Sequence, residues 1–254
     1  MHWLHIHYHS ETLGMPVQME VLLPEPSGET IQKYPTLYLL HDIGDSNTAW
    51  LRKTNIESYA EELSLAIVMP VGHQSYYTDM FYGKAYFTHV TEELPAICER
   101  MFPLSTVREN RFIAGNGIGG YGALKAGLSA SHNFSISASF SSPIDINGIA
   151  DRMDKVNPVD IFGRSPDLIG SNHDLYAIAD VATQTHFYLA CELESEFFQE
   201  NLLFTEHLKG LGLPPTMIKT EVMENRWKRL DLSVEKFVKW LSDTCNSTIG
   251  RKEE

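Results

Sequence analysis

Apolar and polar positions run along the chain in two rhythms. Trp3–His9, WLHIHYH, alternates with period two, and Val17–Pro24, VQMEVLLP, takes up the same alternation after Gly14 and Pro16, which predicts a hairpin. Short continuous apolar runs follow at Thr36–His41, Leu65–Pro70, Arg111–Gly115, Ser135–Ser141 and His186–Cys191. Runs of this kind predict strands covered on both faces, as in a parallel sheet. Thr216–Met223, TMIKTEVM, is more polar and predicts an edge strand. Between the strands, helical patterns cover Asn55–Glu62, Phe87–Met101, Tyr121–Ser129, Asp174–Ala182, Glu200–Leu211 and Leu232–Leu241. The alternation predicts an α/β fold, a mostly parallel central sheet with helices on both faces. Ligands of such sheets bind beyond the carboxyl ends of the strands. That rule gathers HDIGDSN (41–47), VGHQSYYTD (71–79) and the glycine-rich turn at Gly115 on one rim.

The stretch 142–173 breaks both rhythms and holds Pro143, Pro158 and Pro166, which predicts a loop-rich insert over that rim. No linker or repeat divides the rest, so a single domain is expected over 1–243, with a polar tail at 244–254. At 254 residues and 43% hydrophobic, the chain is large enough for one well-buried core. Its 20 Lys and Arg against 33 Asp and Glu disfavour a nucleic-acid partner, whose binding rests on phosphate neutralisation. Cys98, Cys191 and Cys245 are scattered and odd in number, which suits reduced thiols of a cytoplasmic protein. MHWLHIHYHS lacks the pattern of a secretion signal, and no apolar run approaches the ~20 residues of a membrane span.

The chemistry turns on Phe112–Gly127, FIAGNGIGGYGALKAG. Strand, tight turn and helix follow one another there as in the nucleophile elbow G-x-S-x-G. Gly117 stands where the nucleophile would be. No Ser, Thr or Cys occurs between Thr106 and Ser129, so a shift of register supplies none. Glycine is also the least strained occupant of a positive-φ turn. An enlarged anion-binding nest at the helix start is the alternative use of that glycine.

Six segments in order resemble the esterase D branch of the α/β-hydrolases, especially its bacterial tributyrin esterases, with S-formylglutathione hydrolases and acetyl esterases as relatives. They are HSETLGMPVQMEVLLPEP, YPTLYLLHDIGDSNTAWLRKTNIESYAEE, SYYTDMFYGKAYFTHVTEELP, GNGIGGYGALKAG, HFYLACELESEFFQENLLFTEHLKGLG and VEKFVKWL. The resemblance implies the α/β-hydrolase fold and a Ser, Asp, His triad in that chain order. It places the serine at Gly117, the acid at Ser195 and the histidine at Asn225. No histidine follows His207. The family's oxyanion turn reads His41-Asp42-Ile43-Gly44, so the hole-like groups are the Ile43 and Ile118 amides, beside a carboxylate at Asp42 that opposes an oxyanion.

Further pocket candidates are His41, His73, Gln74, Tyr77, Asp79, Asn116 and Trp227, the last with Arg226 beside it. For His41 a structural role at its turn competes with a catalytic one. For the 73–79 group, loop-internal hydrogen bonding competes with ligand binding. Glu192, Glu194 and Glu196 surround Ser195 and read as a solvated loop. His5, His7 and His9 share one strand face, where Zn²⁺ or Ni²⁺ chelation competes with a plain exposed face. The expectation is a pseudo-esterase, a non-catalytic binding or regulatory protein. It takes a small acyl or anionic ligand, or a second copy or partner protein, and needs no cofactor or metal. The alternative is a carboxylic ester hydrolase with residual or repurposed activity.

Overall fold

The computed structural model describes all residues except 27–32, 154–155, 165–167, 181–182, 222, 224 and 250–254. Eight strands form one sheet: β1 (His2–Ser10), β2 (Met15–Leu23), β3 (Thr36–Leu40), β4 (Ala66–Pro70), β5 (Arg111–Asn116), β6 (Ile136–Phe140), β7 (His186–Glu192) and β8 (Thr216–Thr220). Their order is β1-β2-β4-β3-β5-β6-β7-β8. The β1–β2 hairpin joins antiparallel and all later neighbours are parallel. This is the α/β-hydrolase fold. β8 is an edge strand, in line with its polar sequence.

Side chains alternate across each strand, so the central strands feed two cores. Tyr38 and Leu40 of β3 join Val68, Ile113, Tyr121 and Phe204 on one face. Leu37 and Leu39 join Ile67, Phe112, Trp50 and Phe237 on the other. The final helix, Arg226–Ile249, covers the second face through Leu230, Val234, Phe237, Val238 and Leu241, all buried. It begins six residues before the predicted start, because Asn225 caps it. It also runs through Thr244, where the sequence predicts a polar tail, since Cys245 follows Leu241 by one turn and packs on the same core.

The segment 142–173 carries two short helices, Ile146–Asp151 and Pro158–Phe162, capped by Asp145 and Asn157. Pro166 lies outside the described residues. Of the helix predicted over 174–182, the described residues form Leu175–Ile178 and Ala179 turns to extended backbone; 181–182 lie outside the described residues. The helix from Tyr86 to Met101 has a π turn at His89–Glu93. No described helix is long and apolar enough to cross a membrane.

Candidate active site and its altered elbow

β5 ends at Asn116 and the helix Ile118–Ser129 begins two residues later, so Gly117 alone makes the turn. It has φ 55° and ψ −122°. Its N–H donates to Phe140 O at 3.0 Å, and its carbonyl accepts from Gly120 N at 3.0 Å and Tyr121 N at 3.1 Å. The helix lies hard against the sheet: a Cβ on Gly119 would come within 2.5 Å of Leu40 O. Strand, turn and helix therefore meet at a distance that glycine alone allows.

The space above Gly117 is filled from another loop. After β3 the chain turns at His41–Asp45, with Asp45 N donating to Asp42 O at 3.1 Å. That turn sends the Asp42 carboxylate to the elbow. Oδ1 accepts from Ile43 N at 2.8 Å and from Ile118 N at 2.9 Å. Those are the two amides the sequence marks as hole-like. Oδ2 accepts from the Arg226 guanidinium at 2.6 Å. A Cβ added to Gly117 would sit 2.2 Å from Oδ1, 2.4 Å from Cγ and 2.6 Å from Oδ2. The carboxylate thus occupies both the amide hole and the volume of a side chain at 117.

Around this point opens a cavity of about 430 Å³. Ile43, Ile118, Tyr76, Phe140, Ile149, Phe197 and Leu230 give it apolar walls, and Asn116, Ser141 and Ser195 also line it. Its charged groups are Asp42, Glu192, Glu196, Arg152, Arg226 and Arg229. The arginines are paired: Arg229 with Glu192 at 2.7 Å, Arg152 with Glu200 at 3.4 Å, and Arg226 with Asp42. No histidine is among the described residues lining it. The Ser195 hydroxyl accepts from Phe197 N at 3.2 Å, which holds its own turn.

Several sequence candidates lie elsewhere, each for a local reason. Asn225 is exposed, and its Oδ1 accepts from Trp227 N at 3.0 Å and Lys228 N at 3.2 Å, a helix cap. The next residue, Arg226, enters the cavity instead. Trp227 packs on the core beneath the final helix, with Lys53 5.9 Å from its ring. His41 is buried: its Nδ1 donates to Asp42 O at 2.8 Å and its Nε2 accepts from Gly72 N at 2.9 Å. Burial lowers its pKa, which suits a neutral ring with both nitrogens committed. Tyr77 is buried with its hydroxyl on His41 O at 2.9 Å. His73 turns to the Tyr86 hydroxyl at 2.7 Å, Gln74 is exposed, and Asp79 accepts from Thr88 N at 2.9 Å and Thr88 Oγ1 at 2.6 Å. None of these residues lines the cavity, and Tyr76 is the member of that loop that does. Glu192, read as part of a solvated loop, is instead paired with Arg229. Arg152 and Arg229 were not legible as site residues. The spacing Arg226, Arg229, Ser233 marks one helix face only once the helix is known to start at Arg226.

The family model described as "Putative esterase" matches residues 10–236. An acetyl esterase of Caldicellulosiruptor saccharolyticus is 29% identical over 231 residues, 83% of this chain and 87% of that protein. Among solved structures, the substrate-bound fluorophosphonate-binding serine hydrolase F (FphF) of Staphylococcus aureus superposes with a TM-score of 0.88 at 28% identity, covering 94% of this chain and 98% of that one. The S-formylglutathione hydrolase FrmB of the same organism gives 0.84 at 28% identity, with the same coverage.

Proposed function

The chain belongs to the esterase family of α/β-hydrolases, and within that family we propose that it is a binding protein whose old acyl pocket holds a ligand without serine-type hydrolysis. The observation that carries this reading is the Asp42 carboxylate, seated on the Ile43 and Ile118 amides and over Gly117. Acyl transfer by this fold needs a nucleophile, a base to take its proton, and free donors for the developing oxyanion. Residue 117 has no hydroxyl, the described residues of the cavity wall include no imidazole, and the two amides already face an anion. A substrate carbonyl would have to displace a carboxylate that two N–H groups and an arginine hold in place. The apolar walls suit a small acyl compound, and the half-exposed Arg226 is the cation that an anionic group on it would share with Asp42.

The names of the relatives favour a second reading, ester hydrolysis by some other route. Turnover of p-nitrophenyl acetate and butyrate, together with labelling by a fluorophosphonate probe, separates the two. The binding reading expects turnover at the blank rate and no labelling. It also expects short-chain carboxylates to shift the melting temperature, and Arg226→Ala to weaken that shift. Turnover above the blank that is lost on mutating a cavity residue would establish the hydrolase reading in its place.

A further inference from the structure

The outer face of β1 carries a group of side chains that the rim cavity does not use. Leu4, Ile6 and Tyr8 turn to the core, so Trp3, His5, His7 and His9 turn outward to solvent. Beneath them lies Glu20, the partner of His5 in the β1–β2 register, with a side chain only 1% exposed. Its Oε1 accepts from His5 Nδ1 at 2.5 Å and from Asn47 Nδ2 at 3.3 Å, and its Oε2 accepts from Trp3 Nε1 at 2.7 Å. A buried carboxylate with these donors fixes the His5 ring. Nδ1 carries the proton, so the outward-facing Nε2 is the accepting nitrogen of the ring. His7 Nε2 lies 2.9 Å from it. The two rings stand nearly at right angles, 78° apart, with centroids separated by 4.7 Å.

A carboxylate behind one imidazole nitrogen, with the other nitrogen as the acceptor, is the usual outer-shell arrangement of a metal-binding histidine. The two Nε2 atoms, 2.9 Å apart, are joined by a hydrogen bond, which brings both rings within reach of one ion but sets no coordination angle. Imidazole ligands suit Ni²⁺, Cu²⁺ and Zn²⁺, and among divalent ions affinity rises through Ni²⁺ to Cu²⁺. No third His, Cys, Asp or Glu joins them in a metal-binding group among the described residues. We propose that His5 and His7 chelate a divalent transition-metal ion, Ni²⁺ or Cu²⁺. Glu20 orients His5, a turn of the exposed His7 ring aims its lone pair at the ion, and water fills the other positions. As the ion enters, the His7 proton moves from Nε2 to Nδ1, and protonation of either ring competes with the ion, so binding weakens as the pH falls.

The test is titration of the full chain, stripped with EDTA, with Ni²⁺ by calorimetry at pH 7.5. One equivalent per chain is expected. His7→Gln is expected to lower the affinity at least tenfold, and Glu20→Gln by about 10–100-fold through loss of the outer-shell carboxylate. His9→Gln and His2→Gln are expected to leave it unchanged, which separates the pair from a diffuse histidine face and from the chain's amino terminus. Cu²⁺ bound at one equivalent is expected to show two coupled nitrogens by electron paramagnetic resonance, reduced to one in His7→Gln. His7 is exposed, so its variant keeps the fold, and a thermal melt checks this. Absence of binding would overturn the proposal. So would an affinity unchanged in His7→Gln, or lowered as far by His9→Gln or His2→Gln.

Discussion

Two regions of this molecule invert what is expected of a serine hydrolase. The rim cavity has the place, the access and the elbow, but no histidine among its described lining residues and glycine where the nucleophile belongs. The turn of the β1–β2 hairpin, by contrast, holds serine, histidine and carboxylate in mutual contact. Ser10 Oγ donates to Glu93 Oε2 at 2.5 Å, His89 Nδ1 donates to the same oxygen at 2.7 Å, and Ser10 Oγ lies 3.3 Å from His89 Nδ1. Yet Ser10 is 0% and His89 1% exposed, so no substrate reaches them. Their connectivity is also wrong for catalysis. In a working triad the imidazole stands between acid and serine, one nitrogen to each. Here Ser10 and Glu93 share the Nδ1 side, and Nε2 meets the Tyr8 hydroxyl at 3.0 Å. Ser10 Oγ further accepts from Leu13 N at 3.0 Å, and Glu93 Oε1 accepts from Glu11 N at 2.7 Å and Thr12 N at 3.3 Å. This cluster clamps the hairpin turn to the helix from Tyr86. Residue types do not make a site; access and the order of contacts do.

The largest effect is expected at the clamp. Glu93→Ala strands the donors of Ser10, His89, Glu11 and Thr12 together, and a loss on the order of 3–5 kcal/mol is expected in urea unfolding. A loss below about 1 kcal/mol would show that the cluster is incidental, and the comparison would break there.

Acid should act on the clamp next most strongly. Burial alone would raise the Glu93 pKa, but hydrogen bonds from Ser10, His89 and Thr12 outweigh it and hold it at about 2, against 4.5 unperturbed. A depressed carboxyl pKa adds stability above the unfolded value and loses it as the pH falls through the folded one. The contribution is at most about 3 kcal/mol, reduced by solvent screening of the partly exposed carboxyl, and disappears between pH 4.5 and 2. His89 adds to the same trend at higher pH. Burial lowers its pKa below 6.5, so the unfolded chain takes up its proton first and stability begins to fall below pH 6.5. Chemical denaturation across this range is expected to show both losses, and Glu93→Gln to flatten the lower one.

At the elbow, Gly117→Ser is expected to cost about 2 kcal/mol, from a side chain at positive φ and its collision with Asp42. Adding Asp42→Gly removes the collision, so the pair should be less destabilising than the sum, with a coupling of about 1 kcal/mol. Neither variant is expected to hydrolyse p-nitrophenyl butyrate, since no base is restored. Hydrolysis by Gly117→Ser alone would reveal a base at the cavity and erase the contrast between the regions.

The smallest effect is expected for Arg226→Ala. The arginine is half exposed, so its pair with Asp42 should contribute less than about 1 kcal/mol and weaken further in salt. Its use is positional. Without it, the carboxylate remains on the two amides but loses its outer anchor.

Sequence alone determined the eight strands, the mostly parallel character of their sheet and the glycine turn. Each depends on local rhythm, period two against 3.6, or on steric permission at a single residue such as Gly117. It also determined what the region around the elbow lacks, since a missing hydroxyl between Thr106 and Ser129 needs no fold to be seen. The sequence placed the Asp42 carboxylate beside the hole-like amides, but did not show that it would bond to both of them and to Arg226. Asp42 and Ile118 are 76 residues apart, and only the parallel pairing of β3 with β5 brings them to one point. Asn225 leaves the rim for a similar reason: it caps the final helix, and the next residue, Arg226, is the one that lines the cavity. Whether a serine, a histidine and a carboxylate clamp a turn or cut a bond was likewise decided in space, because burial and hydrogen-bond order belong to the packed chain and have no one-dimensional signature.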